Sequence, residues 1–87
     1  MQLRFTKAAA RQLRKLPLQA VERIESKLLA YAADPAVFAN QVVAMQGEDN
    51  RYRLRVGEYR VIFDQDGVVI EIVAVGHRRD IYRKTDR

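Results

Sequence analysis

"RYRLRVGEYRVIF", residues 51–63, decides the fold. Arg51, Arg53 and Arg55 alternate with Tyr52, Leu54 and Val56, and a period of two marks a strand with one apolar and one charged face. Gly57-Glu58 suits a two-residue turn with glycine first, after which the alternation resumes at Tyr59. Such a turn fixes the register. Val56 then faces Tyr59, Arg55 faces Arg60, Arg53 faces Ile62 and Arg51 faces Asp64. Opposed residues project to the same side of a sheet. One face of this hairpin therefore carries Tyr52, Leu54, Val56, Tyr59, Val61 and Phe63, and the other carries Arg51, Arg53, Arg55 and Arg60, with Asp64 at the far end.

Downstream, Asp66-Gly67 reads as a second two-residue turn, and a third strand follows over about 68–75. In that register Ile70, Ile72 and Ala74 join the apolar face. Val69, Val73 and Val75 fall on the arginine face beside Glu71, either under the C-terminal segment or against a partner. Upstream, Met1 to Phe5 reads as a first strand. Thr6 is placed to cap a helix over Lys7 to Lys15, in which Ala9, Leu13 and Leu16 share a face. Pro17 separates it from a second helix, Leu18 to Ala33, where Val21, Ile24, Leu28 and Tyr31 recur at spacings of three and four. Asp34-Pro35 ends that helix. Residues 36–50 read as a loop with an extended piece around Val42 to Met45. The order β-α-α-β-β-β predicts a single α+β domain over 1–87, a helical hairpin packed on one face of a small, mainly antiparallel sheet.

The arginine face asks for an anion. Arg55 against Arg60 sets like charges directly across the sheet, an arrangement that costs about 0.2–1 kcal/mol, and only Glu58 in the turn offers relief. In this reading Gly76 breaks the third strand, and "HRRDIYR", residues 77–83, arrives at the same end. Guanidinium groups match phosphate oxygens in a two-toothed fashion, and a tyrosine stacks on an unstacked base. His77 is the one side chain whose ordinary pKa suits proton transfer near neutrality; a polar surface residue is the plainer reading. Tyr82 has packing against the sheet as its alternative. Arg79 has pairing with Asp80 or Glu58.

Composition limits the rest. Sixteen Lys and Arg against eleven Asp and Glu give a net charge of +5, which points to nucleic acid, an acidic protein or an anionic surface. There is no cysteine and only one histidine, so disulfides and histidine-rich or thiolate metal sites are excluded and no cofactor is expected. No apolar run approaches a membrane span and there is no signal-like start, so a reducing cytoplasm is the expected compartment.

"YRLRVGEYRVIF" together with "VVIEIVAVGHRRDIYR", residues 68–83, resembles the RelE-like branch of the RelE/ParE toxin superfamily, over essentially the whole chain. The resemblance implies a cytoplasmic mRNA interferase of a toxin–antitoxin pair. Such a protein cleaves mRNA in the ribosomal A site and is neutralised by a cognate antitoxin, sometimes in a higher toxin–antitoxin oligomer. It implies catalytic or phosphate-holding roles for Arg53, Arg55, Arg60, Arg78 and Tyr82. His77 is added as the one conventional acid or base, and Arg51, Arg79 and Arg83 as further RNA contacts. Two departures stand out. Arginines occupy strand positions where some members carry lysine, and "AMQG", residues 44–47, lacks the lysines often found before the glycine. Arginine is effectively never deprotonated, which suits Arg53 and Arg55 to neutralising charge rather than accepting a proton. The alternatives are a ParE-like toxin acting on DNA gyrase without RNA cleavage and an inactive nucleic-acid-binding homologue.

Overall fold

A computed structural model describes residues 1–47 and 49–85, the side chains of Tyr82, Arg83, Lys84 and Thr85 excepted. Five strands form one sheet: β1 (Gln2–Phe5), β2 (Val42–Ala44), β3 (Arg51–Val56), β4 (Tyr59–Gln65) and β5 (Val69–His77). Their spatial order is β1-β5-β4-β3-β2. β1 runs parallel to β5, and the other three pairings are antiparallel. Helices α1 (Lys7–Arg14) and α2 (Leu18–Ala33) lie on one face, and α3 (Arg78–Thr85) follows β5 directly.

The helical hairpin forms where its periodicity places it. The Thr6 hydroxyl accepts the Ala9 N–H at 3.1 Å, which satisfies one of the orphan donors at the start of α1. Asp34 closes α2, and a kinked 3₁₀ segment over Pro35–Gln41 carries the chain to the short edge strand β2. Ala9 and Leu13 from α1 meet Ile24, Leu28 and Tyr31 from α2, above Leu54, Val56, Val61, Phe63, Ile70, Ile72 and Val75 from the sheet. Tyr31 ends in a hydrogen bond to Gln65 Oε1 at 2.6 Å, so its ring fills the core while its hydroxyl remains satisfied.

The β3–β4 register is the one the Gly57-Glu58 turn dictates, from Arg51 opposite Asp64 to Val56 opposite Tyr59. Gly57 sits at φ +58°, the conformation a glycine-first turn demands.

β5 departs from expectation in four ways. The loop into it is wider than two residues, because the Asp66 carboxylate accepts the N–H groups of both Val68 and Val69 at 2.9 Å and holds them out of the ladder. Gln65 therefore pairs with Ile70. A register shift follows between Ile62 and Phe63, so Phe63 faces Ile72 while Ile62 faces Ala74. That extra residue, Val73, exchanges the faces beyond it: Val75 enters the main core, and Ala74 lies on the arginine side. The Val75 N–H, beside the shift, donates to Gln12 Oε1 of α1 at 2.8 Å. Third, Gly76 does not break the strand. It pairs with Arg60, and β5 runs on to His77.

The fourth departure is α3, a helix that the expected order β-α-α-β-β-β does not include. Its Ile81 is 3% exposed and packs with Ile62 and Ala74, with Met45 and Val73 at the margin. A Cβ added at Gly76 would lie 3.6 Å from Ile81 Cβ, in ordinary contact, so the first turn of α3 lies directly over the strand. The arginine face thus carries a small apolar cluster of its own.

Candidate nucleic-acid interface

Alternation on β3 sends Arg51, Arg53 and Arg55 to the face that α1 and α2 leave uncovered, and the turn brings Arg60 opposite Arg55. The row is not uniform. Arg51 is neutralised by a fork into Asp64, with Nε to Oδ1 at 2.7 Å and Nη2 to Oδ2 at 3.0 Å. Glu71 turns to Arg4 of the neighbouring parallel strand, 4.0 Å away. The end of the face near Asp64 is therefore charge-balanced.

The turn end is different. Arg60 Nη1 donates to two main-chain carbonyls, Gly57 O at 3.0 Å and Tyr59 O at 2.9 Å. These bonds draw the guanidinium back over the turn without cancelling its charge. Arg78 opens α3 at the same end. Its Nε donates to Glu58 Oε1 and its backbone N–H to Glu58 O, both at 2.8 Å. It is Arg78, rather than Arg79, that takes Glu58, because the backbone bond fixes the start of α3 against the turn. Arg79 is exposed. Arg53 lies midway along β3, opposite Ile62 and Val43.

Arg55 is exposed and close enough to α2 to act on Lys27. Burial first, then the guanidiniums of Arg55 and Arg23, hold the Lys27 ammonium below its ordinary pKa.

His77 is not brought to this face. It pairs with Tyr59 and shares its side of the sheet, the two rings edge to face at 5.7 Å. Its Nδ1 accepts the Arg79 N–H at 3.2 Å, which makes it a cap on α3. The register shift at Val73 explains the placement, since one extra residue exchanges the sides of everything after it. Tyr82 and Arg83 stand on α3, and their side chains lie outside the described residues.

The sequence reading missed Glu58 as the carboxylate that positions Arg78, and Ile81 as the anchor of α3. Glu58 had a signal, being the acid nearest the predicted Arg55–Arg60 pair. Ile81, one aliphatic residue among charges, had little. Among the described residues no three His, Cys, Asp or Glu gather as a metal ion would need. Nor is any helix among them long and apolar enough to cross a membrane.

Comparison with known proteins finds a matching family and similar folds. The family described as the ParE toxin of the type II toxin–antitoxin system matches residues 3–82. Among solved structures, the chain is similar to one in the RelB–RelE antitoxin–toxin complex of Methanococcus jannaschii. They share 25% identity at a TM-score of 0.77, over 94% of this chain and 98% of that one. For the intact Escherichia coli RelBE toxin–antitoxin complex the figures are 28% and 0.71, over 87% and 94%. For a RelBE complex of Mycobacterium tuberculosis they are 27% and 0.63, over 88% and 96%. Among curated protein sequences, none matches the chain.

Proposed function

The chain belongs to the family of ParE toxins of type II toxin–antitoxin systems, and from that premise we propose that it is an RNA-directed toxin of the RelE kind, an endoribonuclease acting on mRNA at the ribosome in the cytoplasm. The observation that carries this reading is the uncompensated pair Arg55–Arg60 at the turn end, with Arg78 beside it. A phosphodiester placed there relieves the repulsion between the first two. Arg78 is available to it because an exposed ion pair such as the one to Glu58 contributes only about 0–1 kcal/mol.

In the proposed reaction the ribose 2′-oxygen attacks the adjacent phosphorus and the bond to the 5′-oxygen breaks. A 2′,3′-cyclic phosphate is left on one fragment and a hydroxyl on the other. Charge grows on the phosphoryl oxygens as the phosphorane forms, and fixed guanidiniums stabilise that charge more than they stabilise the ground state. Arg55, Arg60 and Arg78 hold the scissile phosphate, and Arg53 the next one along. Tyr82 stacks a base or assists proton transfer, while Arg51, Arg79 and Arg83 meet the outer backbone. His77 serves α3 rather than the phosphate in this scheme, so proton transfer falls to Tyr82 or to groups of the ribosome. A cognate antitoxin protein neutralises the toxin, in keeping with the antitoxin complexes of its structural relatives.

The test is cleavage of ribosome-bound mRNA by the wild type and by an Arg60→Ala/Arg78→Ala variant. Loss of specific cuts in the variant is expected, and equal cleavage by both would remove the site assignment. A second reading, inhibition of DNA gyrase, is favoured by the family match and by the placement of His77 off the arginine face. Inhibition of supercoiling by the purified protein, with intact mRNA on induction, would decide for it.

A further inference from the structure

One groove of the molecule lies away from the arginine face. It opens between the outer side of α2 and the β3–β4 turn, encloses about 660 Å³, and is lined by Arg23, Lys27, Phe38, Val56 and Gly57 among others. Its floor is apolar: Phe38 is partly buried and Val56 is 3% exposed. Its walls are basic. The Arg23 guanidinium lies over the turn, with Nη2 3.2 Å from where a Cβ on Gly57 would stand. Lys27 Nζ sits 5.9 Å from the centre of the Phe38 ring. Against these two cations the lining offers one carboxylate, Glu22. Crowding like charges around an apolar floor is unfavourable unless an occupant brings the opposite charge.

We propose that this groove receives an acidic segment of the antitoxin, one whose carboxylates meet Arg23 and Lys27 while an aliphatic or aromatic side chain covers Phe38 and Val56. The inference rests on the antitoxin partner of the preceding reading. The apolar floor favours a peptide over nucleic acid, because a phosphate backbone gains nothing from an aliphatic side chain such as Val56 while a nonpolar side chain does.

The experiment titrates the antitoxin encoded in the same operon onto the purified wild-type chain and onto an Arg23→Glu/Lys27→Glu variant, with RNA cleavage measured in parallel. Reversal of two charges at a partly exposed interface is expected to weaken the complex by about tenfold or more and to flatten its salt dependence. RNA cleavage by the variant stays at the wild-type level but is no longer suppressed by antitoxin at wild-type stoichiometry. An Arg23→Gln/Lys27→Gln variant, which adds no new charge, is expected to show the same change in smaller measure and stands in if the reversed pair does not fold. Unchanged antitoxin affinity in folded variants would overturn the groove assignment. So would lost RNA cleavage with antitoxin affinity kept, which would give the groove to nucleic acid. No complex even with the wild-type chain would instead remove the antitoxin reading itself.

Discussion

At the residue scale, single side chains were legible where their chemistry is local. Gly57 is the best case: a glycine-first turn named the residue, and the backbone uses it at φ +58°. Alanine there takes a left-handed strain of about 1–2 kcal/mol, and its Cβ must displace the Arg23 guanidinium. Gly57→Ala should lower the melting temperature by roughly 4–8 °C per kcal/mol in a domain of this size, as followed by thermal denaturation. Asp66 was legible as a turn residue but not in what it does. Its carboxylate takes the N–H of Val69 and of Val68, and these bonds hold its pKa below the ordinary carboxylate value. A depressed folded pKa means the contribution is fully present above about pH 4 and fades as pH falls through the folded value. Asp66→Ala should therefore melt earlier than wild type at pH 7, with the gap closing as pH falls through the depressed folded value. A gap that persists into strong acid would mean the ionised carboxylate is not what matters. His77 shows the limit at this scale, since the side of the sheet it occupies depends on a register shift at Val73, four residues earlier.

At the scale of elements, the two long helices and the β3–β4 hairpin were legible because each repeats its own period over several turns or pairs. β5 was not, since a bulge is a change of period that no local composition announces, and its cause, the Asp66 loop with the shift at Val73, lies in hydrogen bonding. α3 escaped for the opposite reason. It has eight residues, RRDIYRKT, too few to display an amphipathic stripe. What holds it is tertiary: Ile81 in the small cluster with Ile62 and Ala74, and Arg78 tied twice to Glu58. Among the described side chains of α3 only Ile81 is buried, an attachment that makes the helix separable from the rest. Ile81→Asp should release the helix while the main core, on the other face, remains folded. Hydrogen exchange would then rise over 78–85 and stay slow in β4. A cooperative loss of all protection would show instead that α3 is part of the global unit. Gly76→Leu should act in the same direction, because a side chain at Gly76 enters the space Ile81 holds.

For the whole molecule, the sequence predicted a basic protein, and the fold decides where that charge is usable. Arg51 and Arg4 are spent on Asp64 and Glu71, leaving one end of the arginine face balanced. Arg55, Arg60 and Arg78 converge at the other end. An RNA-binding reading of this partition makes a quantitative claim about salt. Each phosphate neutralised on a single strand contributes about −0.7 to the slope of log affinity against log salt, so three such contacts predict a slope near −2. Arg60→Ala should weaken binding of a short single-stranded RNA and make the slope shallower by about 0.7, as read by fluorescence anisotropy across a salt series. Arg51→Ala should change it far less, because the Arg51 fork is already filled by Asp64. Equal effects from the two substitutions would mean the face acts as a diffuse basic surface. Unequal effects of the expected sign would place the phosphate at the turn, the one part of the sheet where opposed arginines stand without an acid between them.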